Sequence, residues 1–362
     1  METWAKALVG YSVEVKPGQT VAIAGGVAAE PLLRAIYREV VARGAHPVML
    51  PIFSGLGAEL LLHGNDDQLR HVDPVERFGR EQVDVSIRVM AETNTKAMSA
   101  VDPARQTVFQ QARADLFQAM MRRAATGELQ WTLTLFPTEA YAQDADMATD
   151  AFADFVFAAC KLDQPDPAGA WRAQAAEQQR LIDWLRGKRE VRLRGRDTDL
   201  SLSIEGRKWI NADGTKNFPD GEIFTGPVED SVDGHVRFSY PVVTAGREVH
   251  DVRLRFLGGR VVDASAAKNE DYLIKTLDTD AGARTLGEFA VGTNFAIQRF
   301  TKNILFDEKI GGTVHMAVGA GYPETGSVNE SAVHWDLICD LRDGGEVDVD
   351  GEPFLRNGRF VV

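Results

Sequence analysis

Seven histidines occur in the chain, and His235, His250, His315 and His334 lie in its second half. Two of these four sit in company that suits chemistry. His334 and Asp336 are two positions apart in "SAVHWDLICDL" (331–341), so a strand there aims an imidazole and a carboxylate to the same side. The flanking Val333, Trp335, Leu337 and Ile338 mark that strand as buried. A buried imidazole or carboxylate without a partner costs several kcal/mol, so the pair satisfies itself or something else satisfies both. His315 lies in a second strand-like run, "GGTVHMAVGAGYPET". Three carboxylates keep similar company. Glu222 follows a Pro-Asp-Gly turn in "FPDGEIFTGP", Glu288 sits in "RTLGEFAVGTN", and Glu308 sits in "LFDEKIGG" just ahead of His315.

Carboxylates mixed with neutral imidazoles suit zinc, cobalt or manganese. Two such ions a few ångströms apart lower the pKa of a water and polarise a carbonyl. The chain has neither HExxH nor a paired CxxC, which excludes a helical zincin site and a structural zinc site. Each residue also has a plainer reading. A lone strand histidine is more often a hydrogen-bonded core residue than a ligand, and Pro-Asp-Gly-Glu is ordinarily a turn with an exposed acid. "EVDVDGEPF" (346–354) starts like a calcium loop, but the twelfth position from Glu346 is Asn357, so it reads as strand and turn.

The elements that must position these residues fall into two textures. The first half alternates strands and helices. "TVAIAGG" (20–26) is a short apolar run, and in the segment after it Leu32, Leu33, Ile36, Tyr37, Val40 and Val41 recur at helical spacing between Pro31 and Gly44. "HPVMLPIF" (46–53) completes a strand–helix–strand unit of the kind that builds parallel sheets. "VDVSIRVM" (83–90), a single helix over 103–127 and "LQWTLTLF" (129–136) continue the pattern, and two helices follow near 144–161 and 168–187. The glycines of "AIAGGVAAEPLL" lack the full GxGxxG and an acidic residue at the end of the second strand, so they read as a tight strand-to-helix turn, not a dinucleotide site.

Beyond about residue 188 the sequence alternates apolar and polar with period two, as in "EVRLRG" and "DLSLSIEG". Hairpins are expected over Gly258-Gly259 and Asn357-Gly358. The expected fold is α/β. An N-terminal parallel-sheet α/β domain spans 1–188, and a strand-rich α+β metal-binding domain spans 189–362. "DQPDPAGA" (163–170) reads as a linker, with the following helix expected to pack on the first domain.

The 362 residues carry a net charge of −13, with a pI near 5.1, which argues against nucleic acid or an anionic membrane as partner. Cys160 and Cys339 are too few for a disulfide framework and fit a reducing compartment. No secretory signal opens the chain and no apolar run nears the roughly 18 residues that span a bilayer, so a cytoplasmic location is expected.

Together the segments resemble the aminopeptidase T type of metalloaminopeptidase, the thermophilic metalloaminopeptidase family. The resemblance runs from "GYSVEVKPGQTVAIAGG" to "SAVHWDLICDL". It is most specific in "NADGTKNFPDGEIFTGPVEDSVDGHVRF", "LGEFAVGTN" and "NILFDEKIGGTVHMAVGAGYPET". It implies two divalent ions, zinc, cobalt or manganese, in the C-terminal domain. By resemblance Glu222 binds one ion and Glu288 bridges both. Glu308 and His315 bind the second, and His334 and Asp336 complete the pair. Tyr322 matches the family tyrosine that donates to the oxyanion, and Glu288 joins it as a catalytic residue. The implied reaction is removal of the N-terminal residue of short peptides by a metal-bridged hydroxide, in a homodimer whose N-terminal domain serves access and oligomerisation.

Two departures stand out. Nineteen positions separate His315 from His334, fewer than in familiar members, and seven separate Glu308 from His315, more than in many. Rival readings are a two-metal phosphoesterase, for which arginines beside the ligands are missing, and a non-catalytic binding protein on the same fold.

Overall fold

The computed structural model describes residues 1–244 and 247–362. The chain divides into two compact units, one of Met1–Ala170 with Gly214–Pro219, the other of Trp171–Asp213 with Asp220–Val362.

In the first unit, β1 (Thr20–Gly26), β2 (His46–Ile52), β3 (Val85–Met90) and β4 (Gln130–Leu135) pair in parallel in the order β2-β1-β3-β4, with the short strand Asn217–Phe218 added beside β4. Helix Glu30–Ala42 starts with proline in its first turn and buries Leu32, Leu33, Ile36 and Val40. The glycine pair that ends β1 has a packing role. A Cβ on Gly25 would stand 2.6 Å from Leu33 Cδ2, and one on Gly26 would stand 2.8 Å from the carbonyl oxygen of Ala91.

The single helix expected over 103–127 is two helices, Pro103–Gln111 and Ala114–Ala125. At the break the Arg113 guanidinium donates to the carbonyls of Phe109, Leu69 and His71 and pairs with Glu76, so tertiary bonds override a continuous helical pattern. The helix Pro167–Leu185 also departs from expectation. From Trp171 onward it belongs to the second unit, where Leu181 and Leu185 join a core of sheet valines and leucines.

The second unit is built of antiparallel strands. Those of its larger sheet are β5 (Glu190–Gly195), β6 (Thr198–Ser203), β10 (Asp233–Arg237), β13 (Arg253–Leu257), β14 (Arg260–Ser265), β18 (Glu346–Val349), β19 (Glu352–Arg356) and β20 (Arg359–Phe360), ordered β14-β13-β10-β6-β5-β18-β19-β20. The smaller sheet contains β7 (Ile210–Ala212), β9 (Glu222–Thr225), β15 (Leu286–Gly292), β16 (Thr313–Gly319) and β17 (His334–Asp340), ordered β17-β16-β15-β9-β7. Asn217–Phe218 is β8, and β11 (Val242–Thr244) and β12 (Arg247–Val249) form a separate ribbon.

Both predicted two-residue turns are present. Gly258 and Gly259 have φ of 54° and 78°, and Asn357 and Gly358 have 50° and 72°, the left-handed pair that tight hairpins demand. Asp350-Gly351 turns β18 into β19, so "EVDVDGEPF" is strand and turn. Cys160 and Cys339 are both buried, and neither is joined in a disulfide. Among the described residues no helix is long and apolar enough to cross a membrane.

Candidate metal centre

The smaller sheet brings the predicted residues together through register. Glu288 on β15 stands opposite Ala317 on β16, which stands opposite Asp336 on β17. His315 is two residues before Ala317, and His334 is two before Asp336, so each shares its neighbour's face. His315 faces Ala290, and Glu222 faces Gly292 on the next strand over. Alanines and a glycine at the facing positions leave room between the acidic and imidazole side chains. A register shift between Leu286 and Glu288 lets Glu288 join this row. Gly287 makes the shift possible, since a Cβ there would lie 2.4 Å from the Ala320 carbonyl oxygen.

Glu288 is central. Its Oε1 lies 3.5 Å from His315 Nε2 and its Oε2 lies 3.3 Å from His334 Nε2. His315 Nε2 is also 3.3 Å from Glu222 Oε2, and His334 Nε2 is 3.6 Å from Asp336 Oδ1. Three overlapping groups offer ligand atoms within 4.8 Å of one another: Glu222, Glu288 and His315; Glu288, His334 and Asp336; and Glu308, His315 and Asp336. Glu308 therefore joins the cluster despite its longer spacing. It caps the short helix Ile304–Asp307, and its carbonyl accepts from His315 Nδ1 at 3.0 Å.

Both imidazoles are oriented by the backbone. His334 Nδ1 donates to the Ala320 carbonyl at 2.8 Å, as His315 Nδ1 does to Glu308. That leaves each Nε2 facing the carboxylates, the arrangement in which histidine ligates a metal. Glu222 Oε2 is buried with no hydrogen-bond partner, an acceptor waiting for a cation. These features fit a divalent ion. Tyr322 follows β16, with its ring 5.0 Å from that of His334 and 5.3 Å from that of Phe224.

Two members of the cluster escaped sequence reasoning. Lys309 is completely buried, with Nζ 3.0 Å from Glu222 Oε1 and 3.7 Å from Asp220 Oδ1, and it also bonds Glu308. Both residues were within the quoted motifs, in "DEKIGG" and "PDGE". A lysine beside a glutamate ordinarily signals a solvated surface, so the motif gave no sign of burial.

The electrostatics follow from crowding. Burial alone would lower both histidine pKa values, but Glu222 and Glu288 push His315 up to about 10, and Glu288 and Asp336 push His334 up to about 9. Burial would raise Glu288, yet hydrogen bonds from both histidines hold it down to about 2. Burial wins at Glu222, raised to about 8 against Lys309 and His315, and at Asp336 and Asp220, each raised to about 6. Burial opposes the charge of Lys309, but Glu222, Glu308 and Asp220 keep its pKa well above the ordinary lysine value. Burial, with Glu288 and Asp336 nearby, raises Tyr322, so its hydroxyl keeps its proton.

Residues 1–360 match the family described as Thermophilic metalloprotease (M29). The chain belongs to that family. It is an enzyme of a metalloaminopeptidase family, a hydrolase. It is 28% identical over 417 aligned positions to "Aminopeptidase 2" of Geobacillus stearothermophilus, covering 100% of this chain and 97% of the relative. It is 32% identical over 307 positions to "Aminopeptidase T" of Thermus aquaticus, covering 74% of each. The solved structure "Wild-type AmpT from Thermus thermophilus" superposes with a TM-score of 0.88 at 25% identity, covering 100% of this chain and 98% of that one. The mixed architecture, a parallel sheet followed by antiparallel strand-rich sheets, is that structure's fold.

Proposed function

We propose that this chain removes the N-terminal residue of short peptides at a centre of two divalent cations, zinc, cobalt or manganese. Glu222, Glu308, His315, His334 and Asp336 would hold the ions, with Glu288, which reaches both histidines, shared between them. The observation that carries the reading is Glu288, which turns one oxygen toward each histidine. An excess of acid supports bound cations: Asp220, Glu222, Glu288, Glu308 and Asp336 crowd around one lysine and two imidazoles. Bound there, the ions supply Lewis acidity to the scissile carbonyl and an acidified water.

The chain's own residues orient and move protons. The backbone carbonyls of Glu308 and Ala320 fix the imidazole tautomers. Tyr322 donates its O–H to the oxyanion that develops at the carbonyl. A carboxylate of the cluster, Glu222 or Glu288, passes a proton to the leaving amine. The N-terminal domain serves access and oligomerisation in a homodimer, and the protein works in the cytoplasm.

The test is to strip the protein with a chelator, refill it with zinc, cobalt or manganese, and assay aminoacyl, N-acetylated aminoacyl and phosphoester substrates. Hydrolysis of the free-amine substrates alone, restored by metal, is expected. Phosphoester turnover with no aminoacyl turnover would favour the two-metal phosphoesterase, and an inert, metal-free protein would favour the binding-protein reading.

A further inference from the structure

Strand β17 does more than present two ligand candidates. Alternation puts Ile338 on the same face as His334 and Asp336, while Trp335, Leu337 and Cys339 turn the other way into the core. Beside this face lies a cavity of about 170 Å³ that has His334, Asp336 and Ile338 on one side. Val242 and Val243 of β11, Phe300 and Ile304 supply most of the apolar lining opposite, with Lys302 and Asp307 among them. A cavity of about 150 Å³ with aliphatic and aromatic walls suffices to hold a benzene ring, so this one accommodates a branched aliphatic or aromatic side chain.

The polar groups at its wall are already engaged. The Lys302 ammonium lies 3.9 Å from Glu248. Asp307, fully buried, accepts from the Thr301 backbone N–H at 2.7 Å and from its hydroxyl at 2.8 Å. Neither offers an unpaired charge to an incoming group. Ile304, by contrast, is 45% exposed, an apolar rim in contact with water.

Resting on the aminopeptidase reading above, we infer that this cavity receives the side chain of the substrate's N-terminal residue and selects uncharged apolar ones of leucine to phenylalanine size. An aminopeptidase must bring the free amine and the first carbonyl to the metal centre. The side chain branches from the carbon between those two groups, so it enters the space that shares His334 and Asp336 with the centre. The apolar part of the wall, Val242, Val243, Phe300, Ile304 and Ile338, discriminates by size, about 10- to 200-fold for a methylene-scale change.

The experiment compares kcat/KM for glycyl, leucyl, phenylalanyl, lysyl and aspartyl p-nitroanilides on the zinc-loaded full chain, for wild type, Ile304→Asp and Ile304→Ala. Calorimetric binding of free leucine is measured alongside, and the Ile304→Ala rim variant serves if Ile304→Asp misfolds. Wild type should favour leucyl and phenylalanyl over glycyl and aspartyl by at least about tenfold. Ile304→Asp should cut the leucyl-to-glycyl ratio and the affinity for leucine by a similar factor, with Ile304→Ala intermediate. A wild-type preference for lysyl, pointing to Asp307, would overturn the inference, as would ratios and leucine affinity that ignore both substitutions. Failure to hydrolyse any aminoacyl substrate would instead remove the aminopeptidase reading on which it rests.

Discussion

The two large sheets of the second unit use the same charged residue types to opposite ends. In the eight-stranded sheet most charges point outward into water, with Asp348 the sheltered exception. Arg192 makes a bidentate pair with Asp199 at 3.0 and 2.9 Å, and Arg194 and Arg356 both reach Asp348. In the five-stranded sheet β15 and β16 are buried along their whole length, and the charges they carry are buried too. Water screens most of the first set, and Asp199 and Asp348 are each met by arginine. The second set holds five carboxylates around one lysine and two imidazoles. Solvated charge on a sheet is a surface, whereas unbalanced charge inside one is a site that needs a ligand of opposite sign.

The largest expected break in this comparison is Glu288→Gln. Losing the carboxylate proposed to bridge the ions should reduce aminoacyl turnover well beyond the roughly 10- to 100-fold typical of residues that merely support a ligand, while circular dichroism stays that of wild type. Near-normal turnover would remove the bridging role. Lys309→Met comes next. It strips the ammonium from Glu222 and Glu308, and breaking a buried ion pair of this kind costs about 3–5 kcal/mol, to be measured by denaturant unfolding of chelated protein.

The pH dependence of stability should separate ion-free from ion-loaded protein. His315 and His334, with pKa values raised to about 10 and about 9 in the folded state, contribute stability that is complete below about 6.5 and lost as pH rises through 9 and 10. Glu222, raised to about 8, costs stability progressively as pH rises from about 4.5 to 8 and keeps that full cost above 8. Glu288, held down to about 2, contributes above about 4.5 and loses that contribution only as pH falls through 2. Chelated protein should therefore melt at falling temperatures from pH 7 to 10. Loaded protein should not, because cations bind the deprotonated ligands. Parallel melting curves with and without ions would contradict the link. The smallest effect belongs to the solvated Arg192–Asp199 pair of the larger sheet, where Asp199→Ala should change unfolding free energy by about 1 kcal/mol or less. A cost equal to that of Lys309→Met would erase the contrast between the sheets.

What could be read from the sequence followed the same division. Period-two alternation and the Gly-Gly and Asn-Gly turns declare the larger sheet and its hairpins, because a half-solvated strand writes its two faces into alternate residues. The six ligand candidates were legible as residue types beside apolar runs, and the structure gathers all of them into one cluster. The small residues that make room for them, Ala290, Gly292 and Ala317, carry no chemical signal of their own. Nor does the register shift at Gly287, since cross-strand pairing depends on residues far apart in the chain. Lys309 and Asp220 were hidden for a related reason. Burial of Lys309 is decided largely by Asp220 and Glu222, far away in the chain, and no local pattern announces it. The same holds for the helix after residue 167, whose apolar face fits either unit until Leu181 and Leu185 meet their partners.

The most direct test of the central claim, that this sheet cages a pair of dications, is anomalous diffraction from crystals of chelated protein refilled with zinc. Two peaks per chain are predicted, each about 2.0–2.2 Å from its imidazole nitrogen and carboxylate oxygens, with Glu288 common to both. A single peak, or zinc bound only away from Glu222, Glu288, His315, His334 and Asp336, would contradict it.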